Sequence, residues 1–183
     1  MTLALTFSAA ICIFFSLSEQ QKQQNVLGQL QQQQQEKNNN SISHMNKSIV
    51  VAFTQAFNNR NITVLDKLVA VNEIEHNSAA HQGLDGVKRY FSDITAAFPD
   101  LHIIIDHIIA EGDNVLVFTN TTGTPAQQVM FAAGIPVSGK NISFKTADLY
   151  RIADNKIVEH WDIMESVKML QDLGLIKFNE PNN

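Results

Sequence analysis

The chain has a single cysteine, Cys12. That excludes an intramolecular disulfide and any zinc site built from several thiolates. Basic residues are in the minority, 13 Lys and Arg against 18 Asp and Glu, for a net charge of −5. A nucleic-acid binder would carry a basic patch, so that class of partner is excluded. There is no P-loop, no GxGxxG after a strand, no GxSxG elbow and no HExxH. No metal site and no cofactor is expected from these motifs. Charged residues are only 17% of the chain, in part because of a Gln/Asn-rich stretch near the N-terminus. A length of 183 residues fits one domain with an appendage.

Charge is also missing ahead of the apolar run Leu3–Leu17, which only Thr6, Ser8 and Ser16 interrupt. The run is short for a membrane span, which needs about 20 apolar residues. It suits the apolar core of a signal peptide, and Ser16 and Ser18 are small residues at the two positions a signal peptidase reads. Residues 1–18 are therefore expected to be an export signal, giving an extracytoplasmic protein. An uncleaved N-terminal anchor and a true start at Met45, which would leave the product cytoplasmic, are the alternatives. No other membrane contact is expected. Cys12 lacks the small residue before it that a lipoprotein signal requires. From Glu19 to Asn40 the chain is mostly Gln and Asn, with few apolar residues to offset ordering entropy. A disordered tether over 19–45 is expected.

The foldable part is expected over 46–178, with a tail at 179–183. Ile49, Val50, Phe53, Ala56 and Phe57 recur at helical spacing, with Asn46 as N-cap and Asn58-Asn59 as the end. A short helix carries Ile62, Leu65 and Leu68. Residues 72–77 form a polar passage, a short strand or a turn. Asp85 caps a third helix whose stripe is Val87, Phe91, Ile94 and Phe98, and Pro99 stops it. The period then becomes two. Leu101–Ala110, rich in Ile, reads as a strand buried on both faces. Gly112-Asp113-Asn114 turns the chain into a second strand, Val115–Thr122. After a loop at 134–139 come strands at Asn141–Ile152 and Lys156–Met164, joined by Asp154-Asn155. A last helix from Glu165 buries Val167, Leu170 and Leu173, and Gly174 stands at its C-cap. Helices followed by an antiparallel meander give an α+β fold. A cone-shaped, curved antiparallel sheet with helices packed on one face leaves a natural small-molecule pocket.

The series Asp148-Leu149-Tyr150-Arg151, Asn155 to Asp162 and Leu170-Gln171-Asp172-Leu173-Gly174 closely resembles the SnoaL-like polyketide cyclases of the nuclear transport factor 2-like superfamily. Further matches are Phe98-Pro99-Asp100-Leu101, Ala110-Glu111-Gly112-Asp113, Gly134-Ile135-Pro136 and Glu75-His76-Asn77, so the resemblance runs over about residues 47 to 176. It implies a nuclear transport factor 2-like α+β barrel. It also implies closure of a polyketide ring by intramolecular aldol condensation, without cofactor or metal. The family's catalytic Asp directly follows the Trp of the fourth strand, which is Asp162 here. A second family position lies fourteen residues earlier and is a His in those cyclases. Here it is Asp148, a departure from their pattern.

An aldol closure needs a base for the proton alpha to a carbonyl and a donor for the developing oxyanion. Asp162 and Asp148 fall on adjacent strands, where two inward carboxylates would raise one pKa. Alternation puts Asp148 with Phe144, Thr146 and Tyr150, and Asp162 with Val158, His160 and Met164. Phe144, Tyr150 and His160 are thus candidate ligand contacts, and His76 is a candidate donor at the pocket rim. Each has a plainer role. Asp162 could cap the last helix, with Glu165 three residues on. Asp148 could pair with Arg151 or Lys145, and His76 could be a structural surface residue. His160 could pair with Asp162. Trp161 then faces away, as a core or dimer-interface aromatic, unless a bulge exchanges the faces. The expected partners are a small apolar carbonyl-containing molecule and a second copy of the chain. The first rival is a non-catalytic binding module on the same fold. The second is a hydrolase or isomerase, which a further carboxylate deep in the cone would favour.

Overall fold

The computed structural model of the protein describes residues 2–78, 80–126 and 139–177, with side chains from residue 19 onward. The chain divides into two units, 1–41 and 42–183. From residue 2 onward the first lies within helix α1 (Thr2–Asn58). The stretch expected to be disordered is helical here, and every side chain from Glu19 to Ser41 is exposed. Long unbranched Gln and Glu side chains lose little freedom in a helix, which favours it without any buried contact. Among the described residues no helix is long and apolar enough to cross a membrane.

The second unit holds the fold. The end of α1 buries Ile49, Val50, Ala56 and Phe57. Asn46 lies inside α1 and is not its cap; it is buried and donates to the Gly112 carbonyl. A 3-10 turn (Ile62–Val64) leads into α2 (Leu65–Leu68), then β1 (Val69–Glu75) and α3 (Gly83–Ala97). Four long strands follow: β2 (His102–Glu111), β3 (Asn114–Gly123), β4 (Ile142–Ala153) and β5 (Lys156–Met164). Helix α4 (Ser166–Asp172) closes the chain. The expected loop at 134–139 lies, apart from Gly139, outside the described residues, as do 179–183.

The strand order is β1-β5-β4-β3-β2. The last four strands pair antiparallel, but β1 runs parallel to β5, so the sheet is mixed and not wholly antiparallel as expected. The β4–β5 turn has positive φ at both Asp154 and Asn155, the combination that suits tight hairpins and that these residue types tolerate. β2 is buried on one face only. Ile103, Ile105 and Ile108 are half-buried, while Ile104 and Ile109 are exposed. In α4 Met169 is buried, as is Leu173 at its C-cap, and Val167 is exposed. The core clusters around Val50, Leu65, Val69, Phe98, Val115, Val117, Ile142 and Ile157. Phe57 packs edge-on against Phe53 and tilted on Phe91, which ties α1 to α3 over the inner face of the sheet. The other face carries exposed Ile104, Ile109, Phe118 and Ile163.

Candidate active site

Strand register builds the site. Thr119, Thr146 and Met164 form one row across β3, β4 and β5; Val117, Asp148 and Asp162 form the next; Val115, Tyr150 and His160 form the third. A bulge in the pairing between β4 and β5 keeps Ile157 on the same face as His160 and Asp162. On the far side of β5, Glu75 of β1 is in register with His160. Phe53 and Phe57 of α1 and Tyr90 of α3 face these rows across a cavity of about 250 Å³. Any side chain at Gly86 would strike the His81 carbonyl, so the loop before α3 sits directly on that helix and adds Ala80 and His81 to the wall.

Five of the six expected residues line the cavity: Phe144, Asp148, Tyr150, His160 and Asp162. Asp162 lies inside β5 and does not cap α4, whose N-cap is Glu165. The Asn77 amide donates to Asp162 Oδ1 at 2.9 Å. Asp148 pairs with neither Arg151 nor Lys145. The Thr146 hydroxyl donates to it, and Thr146 in turn bonds Thr119 at 2.8 Å. His76 is not among the lining residues. It stacks on Trp161 with ring centres 4.3 Å apart and bonds Glu159 at 2.8 Å, and Glu159 also takes the Arg151 Nε–H. Its register explains this, since alternation along β1 sends Glu75 inward and the next residue outward.

His160 does not pair with Asp162. Its Nδ1 lies 2.7 Å from Glu75 Oε2 and its Nε2 lies 3.3 Å from Asp148 Oδ1. Both partners are carboxylates, which only accept when ionised, so both ring nitrogens must carry protons and the ring is an imidazolium. Burial opposes that charge, but the bonds to Asp148 and Glu75 outweigh it and push the His160 pKa up to about 10. The ring also stacks on Tyr150 at 4.6 Å. Burial raises the Glu75 carboxyl, but the His160 bond and charge overcome this and hold it below its ordinary value.

Sequence reasoning missed Glu73, Glu75 and Tyr90. Glu73 is 2% exposed, and among the described residues neither of its carboxyl oxygens has a hydrogen-bond partner. Burial, reinforced by the Glu75 charge, pushes its pKa up to about 7; the Gly83 backbone N–H favours the ionised form weakly without closing a hydrogen bond. Burial and then the Asp148 charge raise the phenol of Tyr150, so it stays a protonated donor beside the cavity, while Tyr90 also lines the cavity but is 37% exposed. The signal for the two acids was the period-two spacing of Glu73 and Glu75. The cavity wall holds four carboxylates and no Lys or Arg among the described residues. Donor atoms of Glu73, Glu75 and His160 lie within 4.8 Å of one another, so these residues could hold a cation. The doubly protonated His160 offers no lone pair, and its own charge occupies that place. The arrangement therefore suits proton transfer. One carboxylate, Asp162, faces a largely apolar space with one oxygen uncommitted among the described residues, and a fixed positive charge lies nearby.

The family profile described as "SnoaL-like polyketide cyclase" matches residues 47–173. Among solved structures, TsrD from Streptomyces laurentii is 23% identical, with a TM-score of 0.67 over 73% of this chain and 97% of that one. A candidate polyketide cyclase from Acidithiobacillus ferrooxidans is 27% identical, with a TM-score of 0.63 over 73% of this chain and 96% of its own. IdmH, a candidate polyketide cyclase from Streptomyces antibioticus, is 25% identical, with a TM-score of 0.62 over 70% and 98%. The fold is thus that of the nuclear transport factor 2-like proteins. Among curated proteins nothing matches the chain.

Proposed function

Because the chain belongs to the SnoaL-like polyketide cyclase family, we propose that it performs aldol-type acid–base chemistry on a small apolar molecule bearing a carbonyl, with Asp162 as the base. The observation that carries this reading is the position of Asp162. It sits within a strand beside a largely apolar cavity, with Asn77 holding Oδ1 and no hydrogen bond at Oδ2 among the described residues. The Asn77 amide fixes the orientation of the carboxylate, which leaves Oδ2 to meet a substrate proton. Asp162 takes the proton alpha to the carbonyl. The C–H electron pair becomes the new C=C bond and the carbonyl pair moves to oxygen. The enolate carbon then attacks a second carbonyl of the same molecule, closing the ring. The resulting alkoxide takes the proton back from Asp162, which returns to its carboxylate form. His160, held as imidazolium by Glu75 and Asp148, supplies positive charge to the anionic intermediate.

Exchange of the alpha protons of 2-acetylnaphthalene in deuterated water, followed by NMR, tests the first step without knowledge of the natural substrate. Glu73 and Glu75 are carboxylates beyond the two expected, and they favour a second reading: a hydrolase of the same cone, in which a carboxylate activates water. Exchange by the wild-type chain separates the two, because water activation alone does not enolise a ketone. We also propose a homodimer through the outer sheet face, supported by exposed Ile104, Ile109, Phe118 and Ile163.

A further inference from the structure

Enolisation needs a hydrogen-bond donor where charge develops on the carbonyl oxygen, and His160 supplies charge but no free donor. Both of its ring N–H groups are occupied, by Glu75 and by Asp148. Several other side-chain donors of the cavity wall are occupied as well. Thr146 donates to Asp148, Thr119 is bonded to Thr146, Thr54 donates to the Val50 carbonyl and the Asn77 amide donates to Asp162. Tyr150 is different. It is 6% exposed and lines the cavity, and its hydroxyl makes no hydrogen bond among the described residues. That hydroxyl is also open to a ligand. Among the described residues the side-chain atoms both sealed and unpartnered are the two oxygens of Glu73; the Tyr150 hydroxyl is not one of them, so it keeps surface on the cavity. The ring is held in place, stacked on His160 with centres 4.6 Å apart and packed edge-on against Phe53 at 5.7 Å. A buried phenol usually finds a partner, so the missing acceptor belongs to whatever fills the cavity.

The position of Tyr150 suits that acceptor. Asp148 faces Asp162 across β4 and β5, and Tyr150 lies two residues along from Asp148 on the same face. Asp162 and Tyr150 are therefore diagonal neighbours, about 7–8 Å apart at their Cα atoms, a gap that an aromatic side chain spans. A ketone carries its alpha proton and its carbonyl oxygen on adjacent carbons, so a base and a donor in adjacent rows meet both at once. Two other unpartnered hydroxyls of the wall are less well placed. Thr121, opposite Phe144, lies two rows from Asp162 on a strand not paired with β5, and Tyr90 belongs to α3 and is 37% exposed.

We propose that the Tyr150 hydroxyl binds the carbonyl oxygen of the ligand and holds the oxyanion that forms there. The ligand class rests on the function proposed above; the donor role deepens it. Asp162 removes the alpha proton, the C–H electron pair becomes the C=C bond and the carbonyl pair moves to oxygen. That oxygen accepts a stronger hydrogen bond from Tyr150 as its charge grows. Tyr150 keeps its proton throughout, and the carbonyl re-forms when the enolate carbon attacks.

The test is calorimetric titration of the full chain at neutral pH with 2-acetylnaphthalene and with 2-isopropenylnaphthalene, in which CH₂ replaces the carbonyl oxygen. The wild type should favour the ketone about fivefold, the scale of one buried hydrogen bond. Tyr150→Phe removes the hydroxyl and keeps both ring contacts. It should bind the two ligands equally, and its alpha-proton exchange should fall about 10²-fold. Thr121→Val and Tyr90→Phe should keep the preference. The carbonyl stretch of the ketone bound to the wild type, read by infrared difference spectroscopy, should lie below its frequency in cyclohexane. That measurement needs no substitution, so it stands even where a variant fails to fold. A wild type that binds the ketone no better than the alkene, an unshifted stretch, or a preference that survives in Tyr150→Phe overturns the assignment. Such a result leaves the Asp162 base standing where the wild type still exchanges the alpha protons. Conversely, a wild type without exchange, whose ketone preference is lost in Tyr150→Phe, removes Asp162 as the base and leaves Tyr150 as the donor.

Discussion

Replacing His160 with Gln should cost the protein much of its stability, by an amount that depends on pH in a specific way. The imidazolium lies between Glu75 at 2.7 Å and Asp148 at 3.3 Å, and its side chain is 18% exposed. Gln is close in size and can donate one bond, but it carries no charge, so two carboxylates are left facing each other in a largely enclosed site. Removing one partner of a buried ion pair costs about 3–5 kcal/mol. An independent bound comes from the raised pKa. A rise from 6.5 to about 10 is equivalent to at most about 5 kcal/mol, at about 1.36 kcal/mol per unit. A group with a raised folded-state pKa contributes fully below its unfolded value and loses its contribution as pH climbs to the folded one. The His160 contribution is therefore complete below about pH 6.5 and gone above about pH 10. Below about pH 5 the variant recovers, because its orphaned carboxylates take up protons. The difference between wild type and variant should thus peak near pH 6–7 and shrink on both sides. Urea unfolding followed by the fluorescence of Trp161, the chain's single tryptophan, which stacks on His76 at the sheet surface, measures it. A loss below about 1 kcal/mol at pH 6.5, or one that is flat from pH 5 to 10, would refute the ion-pair account of this site.

Two further predictions follow from the packing. Deleting residues 1–41 should leave the melting temperature within about 2 °C, because the side chains from Glu19 to Ser41 are exposed; a drop several times larger would mean that the segment packs on the domain. Light scattering at micromolar concentration should give twice the chain mass, and Ile163→Lys, a charge at a residue 77% exposed on the outer sheet face, should lower it towards one chain; a monomeric wild type contradicts the dimer.

Much of the fold was legible because apolar residues alternate where a strand has one wet face. β3, β4 and β5 fall within a residue or two of where Val115, Phe144, Ile157 and their neighbours put them. β1 was legible only as an open choice between a short strand and a turn over 72–77, and the reason lies in the site itself. Its inward positions near the end are Glu73 and Glu75, which face the polar part of the cavity, so the pattern that marks a strand is inverted where function needs acids. The same gap hid the partners of His160. From the sequence, Asp162 was its nearest carboxylate on the same face. The bond actually made is to Glu75, through a parallel pairing that no local pattern announces. For His76 the sequence left a pocket-rim donor and a structural surface residue both open; the structure has the second, with its ring stacked on Trp161. The expectation that β2 is buried on both faces treated an unbroken Ile run as core, whereas half of that run is outer surface.

The most direct test of the account is alpha-proton exchange in 2-acetylnaphthalene by the wild type and by Asp162→Asn, measured side by side in deuterated water. Asn keeps the size of the side chain and its bond to Asn77 but cannot take a proton. The account predicts catalysed exchange by the wild type, reduced about 10²–10⁴-fold in the variant, with an unchanged melting temperature and unchanged ketone affinity. A variant that exchanges the alpha protons as fast as the wild type would contradict the claim that Asp162 is the base.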